Sequence, residues 1–478
     1  MKFHLYNTMS RKIEEFEPFS SPTVGLYACG LTVYDFTHLG HLRKYTMDDV
    51  LIRALQYFGY SVQFVQNVTD VGHLASDADS GEDKLEKGAK KYGQTVYDVA
   101  LKFEKYFFES MDAMGNLRPT VSCRATEHIR EQLDMVLELE KKGYTYVIEG
   151  DGVYFDTSKL DDYGKLARLD LEKLKEGARL GIVEGKRNPT DFALWKFERE
   201  GENRAMVWPS PWSKRSFPGW HIECSAMSMK YLGNQIDIHT GGIDHIPVHH
   251  TNEIAQAEAV TGEKPFVKYW VHHNFLRVDN EKMSKSLGNF FTIDDVTQRG
   301  FHPKAMRLLF LGSHYRSELN FTWEALAGAQ KAFERLVHQT TELFAAGSAD
   351  VAVSEQATKL KDRFEAAIAD DLNTSEAVAV LWEVLKSTLP DSQKVQLLKR
   401  IDSVLGFNFE ALSSEGLGAS VLAVEDLPEN IRGLVAERKR AREEKNWAES
   451  DRLRDVLQAQ GYLVEDTSTG QEVKKATA

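Results

Sequence analysis

Through the first hundred residues the apolar positions alternate between short dense runs and a helical spacing. Val24-Gly25-Leu26-Tyr27-Ala28 reads as a buried strand. Tyr45 to Tyr57 carries Leu51, Ile52 and Leu55 at helical intervals, with Phe58 behind them. Ser61-Val62-Gln63-Phe64-Val65 reads as the next strand. Strand, helix and strand in that order predict a parallel sheet with crossover helices. Asn67-Val68-Thr69-Asp70 then falls at the carboxyl edge of the sheet, where open α/β sheets bind ligands. Met1 to Asn7 lacks an apolar signal core and reads as a first strand.

The pattern changes twice more. From 119 to 204 a helix (Glu127 to Lys142) precedes strand-like Tyr144 to Ile148 and Gly152 to Phe155, then a charged stretch from Leu160 to Lys186. This reads as an insertion. The sheet pattern resumes near Ile236-Asp237-Ile238-His239 and continues past Trp270. From 322 to 407 the period is helical, with Ala332, Leu336, Leu343, Leu381, Val384 and Leu385 in phase, which predicts a helical bundle. Asn373-Thr374-Ser375-Glu376 has capping-box spacing within it. Residues 408–430, rich in Ser, Gly and Glu, read as a linker. Residues 431–478 form a small charged C-terminal unit whose polar tail after Gly470 is expected to be disordered.

Composition narrows the classes. At 478 residues several domains of ~100–200 residues are expected. The net charge of −13 argues against a nonspecific nucleic-acid coat, while leaving room for local basic patches. No run of ~18 apolar residues is present, so no membrane helix is expected. Three cysteines make no disulfide framework and suit a reducing cytoplasm. Cys123 has no role to assign beyond packing.

The chemistry lies in two short strings. His38-Leu39-Gly40-His41 sits between the first buried strand and its helix. Its imidazoles therefore lie near a helix N-terminus suited to phosphate oxygens, and Gly40 offers bare backbone to an adenine ring. Lys282-Met283-Ser284-Lys285-Ser286 places two ammonium groups on a small polar loop, fit to meet charge developing on a departing pyrophosphate. Each string alone also suits an ordinary core histidine or a solvated lysine loop. Cys29, Cys224, His249 and Glu253 offer two thiolates, an imidazole and a carboxylate, with His249 and Glu253 at i, i+4. With no paired C-x-x-C, spacing alone favours two buried cysteines beside a helix carrying surface His and Glu, and His250 competes with His249. Arg432, Arg438, Lys439, Arg440, Arg442 and Lys445 crowd one helical stretch before Trp447. With Glu443, Glu444 and Glu449 interleaved, a solvated ion-pair face is the simpler reading.

The two strings in this order, with Tyr27-Ala28-Cys29-Gly30-Leu31-Thr32-Val33-Tyr34-Asp35, Pro218 to Met227 and His249-His250-Thr251-Asn252-Glu253, resemble the cysteinyl-tRNA synthetases of class I from the Tyr6 region to Asp466. The resemblance implies a Rossmann-like catalytic domain split into 1–118 and 205–321, the second half holding the lysine loop. It implies an acceptor-end domain at 119–204, a tRNA-binding bundle at 322–407, and anticodon recognition beyond the linker. It implies an enzyme that joins cysteine to tRNA(Cys) through cysteinyl-adenylate, as a cytoplasmic monomer. One Zn2+ on Cys29, Cys224, His249 and Glu253 would select the substrate thiolate over serine, and Mg2+ would accompany ATP. His38, His41, Lys282 and Lys285 become catalytic residues. ATP is met by His38, Gly40, His41, Gly242, Asp244 and Lys285, and cysteine by Thr69 and Trp220. Arg442, Trp447, Asp451 and Asp466 match anticodon-reading positions. The sequence departs from the commonest pattern at Val71-Gly72-His73-Leu74, at Thr240 and at Ser213 to Phe217. A related ligase that joins cysteine to an amino-sugar inositol shares the zinc and ATP motifs; the Arg432 to Asp466 segment sets it apart. A noncatalytic tRNA-binding module is opposed by intact His38, His41 and Lys285.

Overall fold

The computed structural model describes residues 2–72, 83–169, 184–284, 287–345, 354–414, 424, 427–467 and 470–475. After the antiparallel pair β1 (His4–Asn7) and β2 (Lys12–Glu15) come β3 (Thr23–Ala28), α1 (Leu39–Tyr57) and β4 (Ser61–Val68). Helices α2 (Lys84–Tyr92) and α3 (Val96–Ala113) lead to β5 (Val121–Arg124). The chain then leaves through α4 (Ile129–Lys141) for a second, antiparallel sheet. Its strands are β6 (Thr145–Ile148), β7 (Gly152–Phe155), β8 (Phe192–Phe197) and β9 (Ser216–Pro218). It returns through α5 (Trp220–Leu232), β10 (Ile236–Gly242), α6 (His249–Thr261) and β11 (Val267–His273).

The five-stranded sheet has the order β11-β10-β3-β4-β5 and every pairing in it is parallel. The chain starts in the middle at β3, runs outward to β4 and β5, then comes back to build β10 and β11 on the other side. The strand order therefore reverses between β3 and β10, the place where such sheets open a crevice at their carboxyl ends. Val24, Leu26, Tyr27 and Ala28 are all fully buried, as strands covered on both faces must be.

A small sheet of β12 (Leu276–Val278), β13 (Glu281–Lys282) and β14 (Leu319–Phe321) follows, with α7 (Ile293–Gln298) and α8 (Pro303–Leu311) between its last two strands. Then come α9 (Trp323–Ala345), α10 (Glu355–Ala369), α11 (Thr374–Lys386), α12 (Asp391–Leu405) and α13 (Phe409–Ser414). Asn373 caps α11 by accepting from the Glu376 N–H at 3.2 Å, as its spacing predicts. One core runs from Leu26 and Leu51 through Phe310 and Leu381 to Leu412, so sheet and bundle share their apolar interior. The chain closes with α14 (Glu429–Glu443), α15 (Trp447–Ala459) and the hairpin of β15 (Tyr462–Thr467) and β16 (Gly470–Lys475).

Three sequence expectations change. Val121–Arg124 belongs to the parallel sheet, paired with β4, and the antiparallel sheet extends to Pro218. A four-residue strand flanked by polar residues carries too little periodicity to show which sheet it joins. The expected linker from 408 opens with α13, because Phe409 and Leu412 bury fully against the bundle. The expected disordered tail forms β16, because Val473 packs on Ile431, Val435 and Leu457. Of the charged stretch from Leu160 to Lys186, residues 170–183 lie outside the described residues, as do His73 and Leu74.

Arg307 ties α8 to α1, to the loop after α3 and to the end of α12. Fully buried, it pairs with Asp49 of α1, donates to Asn116 Oδ1 at 2.8 Å and reaches the Leu405 carbonyl at 2.6 Å. Arg307→Met leaves a buried carboxylate short of a partner. We expect it to cost about 3–5 kcal/mol, read as a lowered urea midpoint against the unmodified chain.

Candidate functional site

A cavity of about 550 Å3 opens where β3, β4, β10 and β11 end. Cys29, Thr69, Trp220, Cys224 and His249 line one part of it. His38, Gly40, His41, Gly242, Asp244 and Lys282 line another. The fold thus brings together the zinc, cysteine and ATP candidates read from the sequence, except Lys285, which lies outside the described residues, and Glu253, which is fully buried behind the wall.

At the first end, ligand atoms of Cys29, Cys224, His249 and Glu253 all lie within 4.8 Å of one another. Cys29 leaves the end of β3, Cys224 sits on the second turn of α5, and α6 presents His249 and Glu253 one turn apart. Two other sets also converge: Cys29 with His245, His249 and His250, and Cys29 with His239, His250 and Glu253. Hydrogen bonding separates them. His249 Nδ1 is taken by His221 Nδ1 at 2.9 Å, and Glu253 Oε2 by His239 Nε2 at 2.9 Å. That leaves His249 Nε2 and Glu253 Oε1 facing each other at 2.9 Å, and Glu253 Oε1, fully buried, makes no aligned hydrogen bond. An outer atom tied down and an inner atom left over is the arrangement expected of metal ligands. His250 has both nitrogens engaged, Nδ1 with His272 at 2.8 Å and Nε2 with Cys29 Sγ at 3.4 Å. Cys29, Cys224, His249 and Glu253 are thus one of three sets among the described residues that could hold a cation.

The charges fit this geometry at Cys29 and Glu253 only: Cys224 is held as a thiol, and His249, against burial, is raised to about 10 by the Glu253 carboxylate and Cys29. Burial works to raise the Cys29 thiol, yet its hydrogen bond with Cys224 and the imidazoles of His239, His250 and His249 pull it well below the usual thiol range. Cys224 moves the other way, raised by its bond to Cys29 and by burial. Burial likewise opposes the Glu253 carboxylate, but His239 and His249 hold it at about 2. Thiolate and carboxylate are the forms a metal takes up. Trp220 stacks on the His249 ring at 4.4 Å between centroids. Thr69 Oγ1 accepts from Asn67 Nδ2 at 3.0 Å.

At the other end, His38 is the N-cap of α1. Its Nδ1 accepts from the His41 N–H at 3.2 Å, and His41 Nδ1 faces the His38 N–H at 3.5 Å. The two rings stack at 3.5 Å. Capping with Nδ1 assigns each proton to Nε2. Burial lowers His38 to about 4 and His41 further, the latter helped by His38 and Lys44, so both imidazoles stay neutral at pH 7. Gly241 has no room for a side chain: a Cβ there would sit 2.4 Å from His250 Cε1. Its backbone thus passes directly over the metal-candidate histidines on the way to Gly242 and Asp244. On the lysine loop, Asn289 Oδ1 accepts from the Ser284 N–H at 2.7 Å and Asn289 Nδ2 donates to the Lys282 carbonyl at 3.2 Å. Asn289 therefore closes that loop.

Far along the chain, Asp466 accepts from Arg438 at 3.0 and 3.1 Å and pairs with Arg442 at 2.8 Å. These arginines hold its carboxyl below the usual range, Arg438 foremost through its hydrogen bond. Trp447 is 55% exposed beside the Arg442 guanidinium, 5.5 Å from ring centroid to Cζ, and Asp451 pairs with Arg454 at 3.3 Å. Arg442, Trp447 and Asp466 thus gather on one surface, and Asp451 is joined to them through Arg454, which also reaches Asp466 at 3.7 Å. His221, His239 and Asn289 escaped the sequence reading. The dense clustering of histidine between 221 and 273 was the available signal for the first two.

Among the described residues no helix is long and apolar enough to cross a membrane. The fold is similar to that of Mycobacterium tuberculosis methionyl-tRNA synthetase in complex with methionyl-adenylate, at a TM-score of 0.55 and 14% identity, covering 87% of this chain and 96% of that one. It is also similar to an Agrobacterium radiobacter leucyl-tRNA synthetase in a ternary complex, at a TM-score of 0.59 and 13% identity, covering 83% and 86%. At such identities the likeness concerns fold alone. A family model described as the tRNA synthetases class I (C) catalytic domain matches residues 15–331, and one described as the cysteinyl-tRNA ligase anticodon binding domain matches 424–473. The chain is 47% identical over 474 residues to cysteine–tRNA ligase 1 of Burkholderia lata, covering 99% of this chain and 97% of that one. It is 43% identical over 491 residues to cysteine–tRNA ligase of Treponema denticola, covering 98% of each. With both ends of the sequence matched and the cavity built as described, this chain belongs to the cysteinyl-tRNA synthetase family, the cysteine–tRNA ligases of class I.

Proposed function

We propose that the cavity activates cysteine with ATP and passes the cysteinyl group to the 3′ end of tRNA(Cys). The observation that carries this reading is the meeting, at one cavity, of cysteine and histidine donors backed by the buried Glu253 carboxylate with a stacked pair of neutral histidines and a lysine loop. The cysteine carboxylate attacks the α-phosphate of ATP, forming cysteinyl-adenylate and releasing pyrophosphate. A terminal ribose hydroxyl of the tRNA then attacks the adenylate carbonyl and AMP leaves. No protein nucleophile is needed, so the residues act by positioning and by charge.

His38 and His41, protonated at Nε2, donate to phosphate oxygens without adding charge. Gly40 and Gly242 offer bare backbone to the adenosine, and Asp244 accepts from the ribose. Lys282 and Lys285 meet the charge that builds on pyrophosphate, with Mg2+ accompanying ATP. Trp220 and Thr69 wall the cysteine. Zn2+ held by Cys29, Cys224, His249 and Glu253 would supply a soft position for a thiolate, which the hydroxyl of serine does not match. We further infer that the antiparallel insert meets the acceptor end and that the bundle carries the tRNA body. Arg442, Trp447, Asp451 and Asp466 read the anticodon, and the protein works as a cytoplasmic monomer. Exchange of labelled pyrophosphate into ATP that requires cysteine, with subsequent transfer to tRNA(Cys) and none to an amino sugar, tests the reading as a whole.

Purified protein should contain close to one zinc per chain by elemental analysis, and Cys224→Ser should lose most of it, because a hydroxyl is a poor substitute for a thiolate. Metal-free protein of full activity would falsify the site. Lys285→Ala should slow adenylate formation in single-turnover measurements by the equivalent of roughly 2.7–4 kcal/mol while leaving cysteine affinity unchanged. An unchanged rate makes it a surface lysine. Removal of 415–478, which keeps the buried Phe409 and Leu412 of α13 in place, should spare cysteine-dependent pyrophosphate exchange and damage tRNA charging. Equal charging by the folded truncation and the whole chain would remove the anticodon assignment.

A further inference from the structure

The peptide group between Cys29 and Gly30 has left the sheet ladder, and side chains hold it at both ends. Its carbonyl accepts from Lys44 Nζ at 2.9 Å and from the Tyr45 hydroxyl at 3.4 Å. Its N–H donates to Asn67 Oδ1 at 2.7 Å, and Asn67 Nδ2 goes on to Thr69 Oγ1 at 3.0 Å. Only glycine fits at position 30, since a Cβ there would stand 1.6 Å from the Asn67 carbonyl oxygen. Lys44 is itself held. Its Nζ lies 2.8 Å from Asp48 Oδ2, and Asp48 Oδ1 lies 2.8 Å from His273 Nε2. The side chains of Lys44, Asp48 and His273 are 11%, 2% and 3% exposed, and Lys44 and His273 line the cavity.

A neutral hydroxyl or amide would satisfy one carbonyl. Burying an ammonium with its carboxylate contributes little net stability, and its best-attested use is to fix geometry. A charge-assisted bond is also shorter and more directional than a neutral one. The peptide so fixed joins two functions. Cys29 carries a candidate metal ligand, and Gly30 is tied through Asn67 to the wall residue Thr69. Rotation of this single peptide would shift the Cys29 sulfur and Thr69 relative to each other.

We propose that the Lys44–Asp48–His273 chain, with Asn67 on the opposite side, is a positioning device for the cysteine end of the cavity. It sets the angle of the Cys29–Gly30 peptide and thereby the fit of the substrate amino acid. Lys44, Asp48, His273 and Asn67 are positioning residues that need not touch cysteine. The inference rests on the proposed cysteine activation.

The zinc-loaded full chain is compared with Lys44→Met/Asp48→Leu, which removes the pair together and strands no charge, with Asp48→Asn and with Lys44→Arg. The readouts are cysteine affinity by calorimetry, KM and kcat in pyrophosphate exchange, zinc content and Tm. The double variant should raise both the Kd and the KM for cysteine about tenfold, with kcat and the KM for ATP within about twofold and one zinc retained. Lys44→Arg should restore cysteine affinity to within about threefold of the parent. A merely structural role would lower Tm and leave the KM for cysteine unmoved, and that result overturns the proposal. Should the double variant not fold, Asp48→Asn, which keeps the shape of the side chain, decides in the same way: a threefold or greater rise in cysteine Kd supports the proposal and an unchanged Kd overturns it. A parent without cysteine-dependent exchange would overturn the activity and this inference together, whereas an active parent with unmoved variants overturns this inference alone.

Discussion

One backbone hydrogen bond, from the Cys29 N–H to the Thr240 carbonyl at 3.1 Å, is the constraint on which the site depends. It is the outermost rung between β3 and β10, the two central strands between which the chain reverses its order of building. Beyond that rung β3 ends, while β10 stays paired to β11 as far as Gly242. The sulfur of Cys29 and the Gly241–Gly242 backbone then face the same crevice, with α5 and α6 closing over it. A register slip at this rung would part Cys29 from Cys224, His249 and Glu253 and carry Gly242 and Asp244 away from α1.

The two ends of the cavity are tuned in opposite ways. At the sulfur end, buried groups hold negative charge against the cost of desolvation because imidazoles crowd around them. Those imidazoles also hold the outer atoms of His249 and Glu253, so the inner atoms cannot wander. At the nucleotide end the histidines give up charge altogether. Each spends Nδ1 on helix capping and retains a donor at Nε2, so this end offers hydrogen bonds without charge. Lys282 sits on a loop that Asn289 helps to close, while the neutral donors are fixed in the framework.

Much of this was legible in the sequence, for physical reasons. The strand runs around Leu26 and Phe64 are apolar because both faces of the sheet are covered. The helical phase of Leu381, Val384 and Leu385 survives because that face is buried in a shared core. The candidate donors were legible as residue types but not as a choice, since His249 and His250 are neighbours and both stand in converging sets. Val121–Arg124 could not be assigned to its sheet because four residues carry too little pattern. Gly470 to Lys475 looked like a polar tail because its one apolar side chain in the sequence, Val473, gives no periodic pattern, yet it packs into the small C-terminal core. Asp466, read as an anticodon contact, is also the carboxylate around which three arginines gather.

The insertion of an antiparallel sheet between β5 and β10 separates Cys29 from His249 by more than two hundred residues. On a ribosome extending at ~5–20 residues per second, β3, α1 and β4 emerge on the order of ten to forty seconds before the strand and helix that complete the crevice. Over that interval the edge of β3 that will receive β10 has no partner, and the Cys29 thiol stands without the groups that later enclose it. The order of synthesis thus leaves the half-built sheet dependent on chaperones or on its own slowness to aggregate, a cost carried by any fold that completes its central rung last.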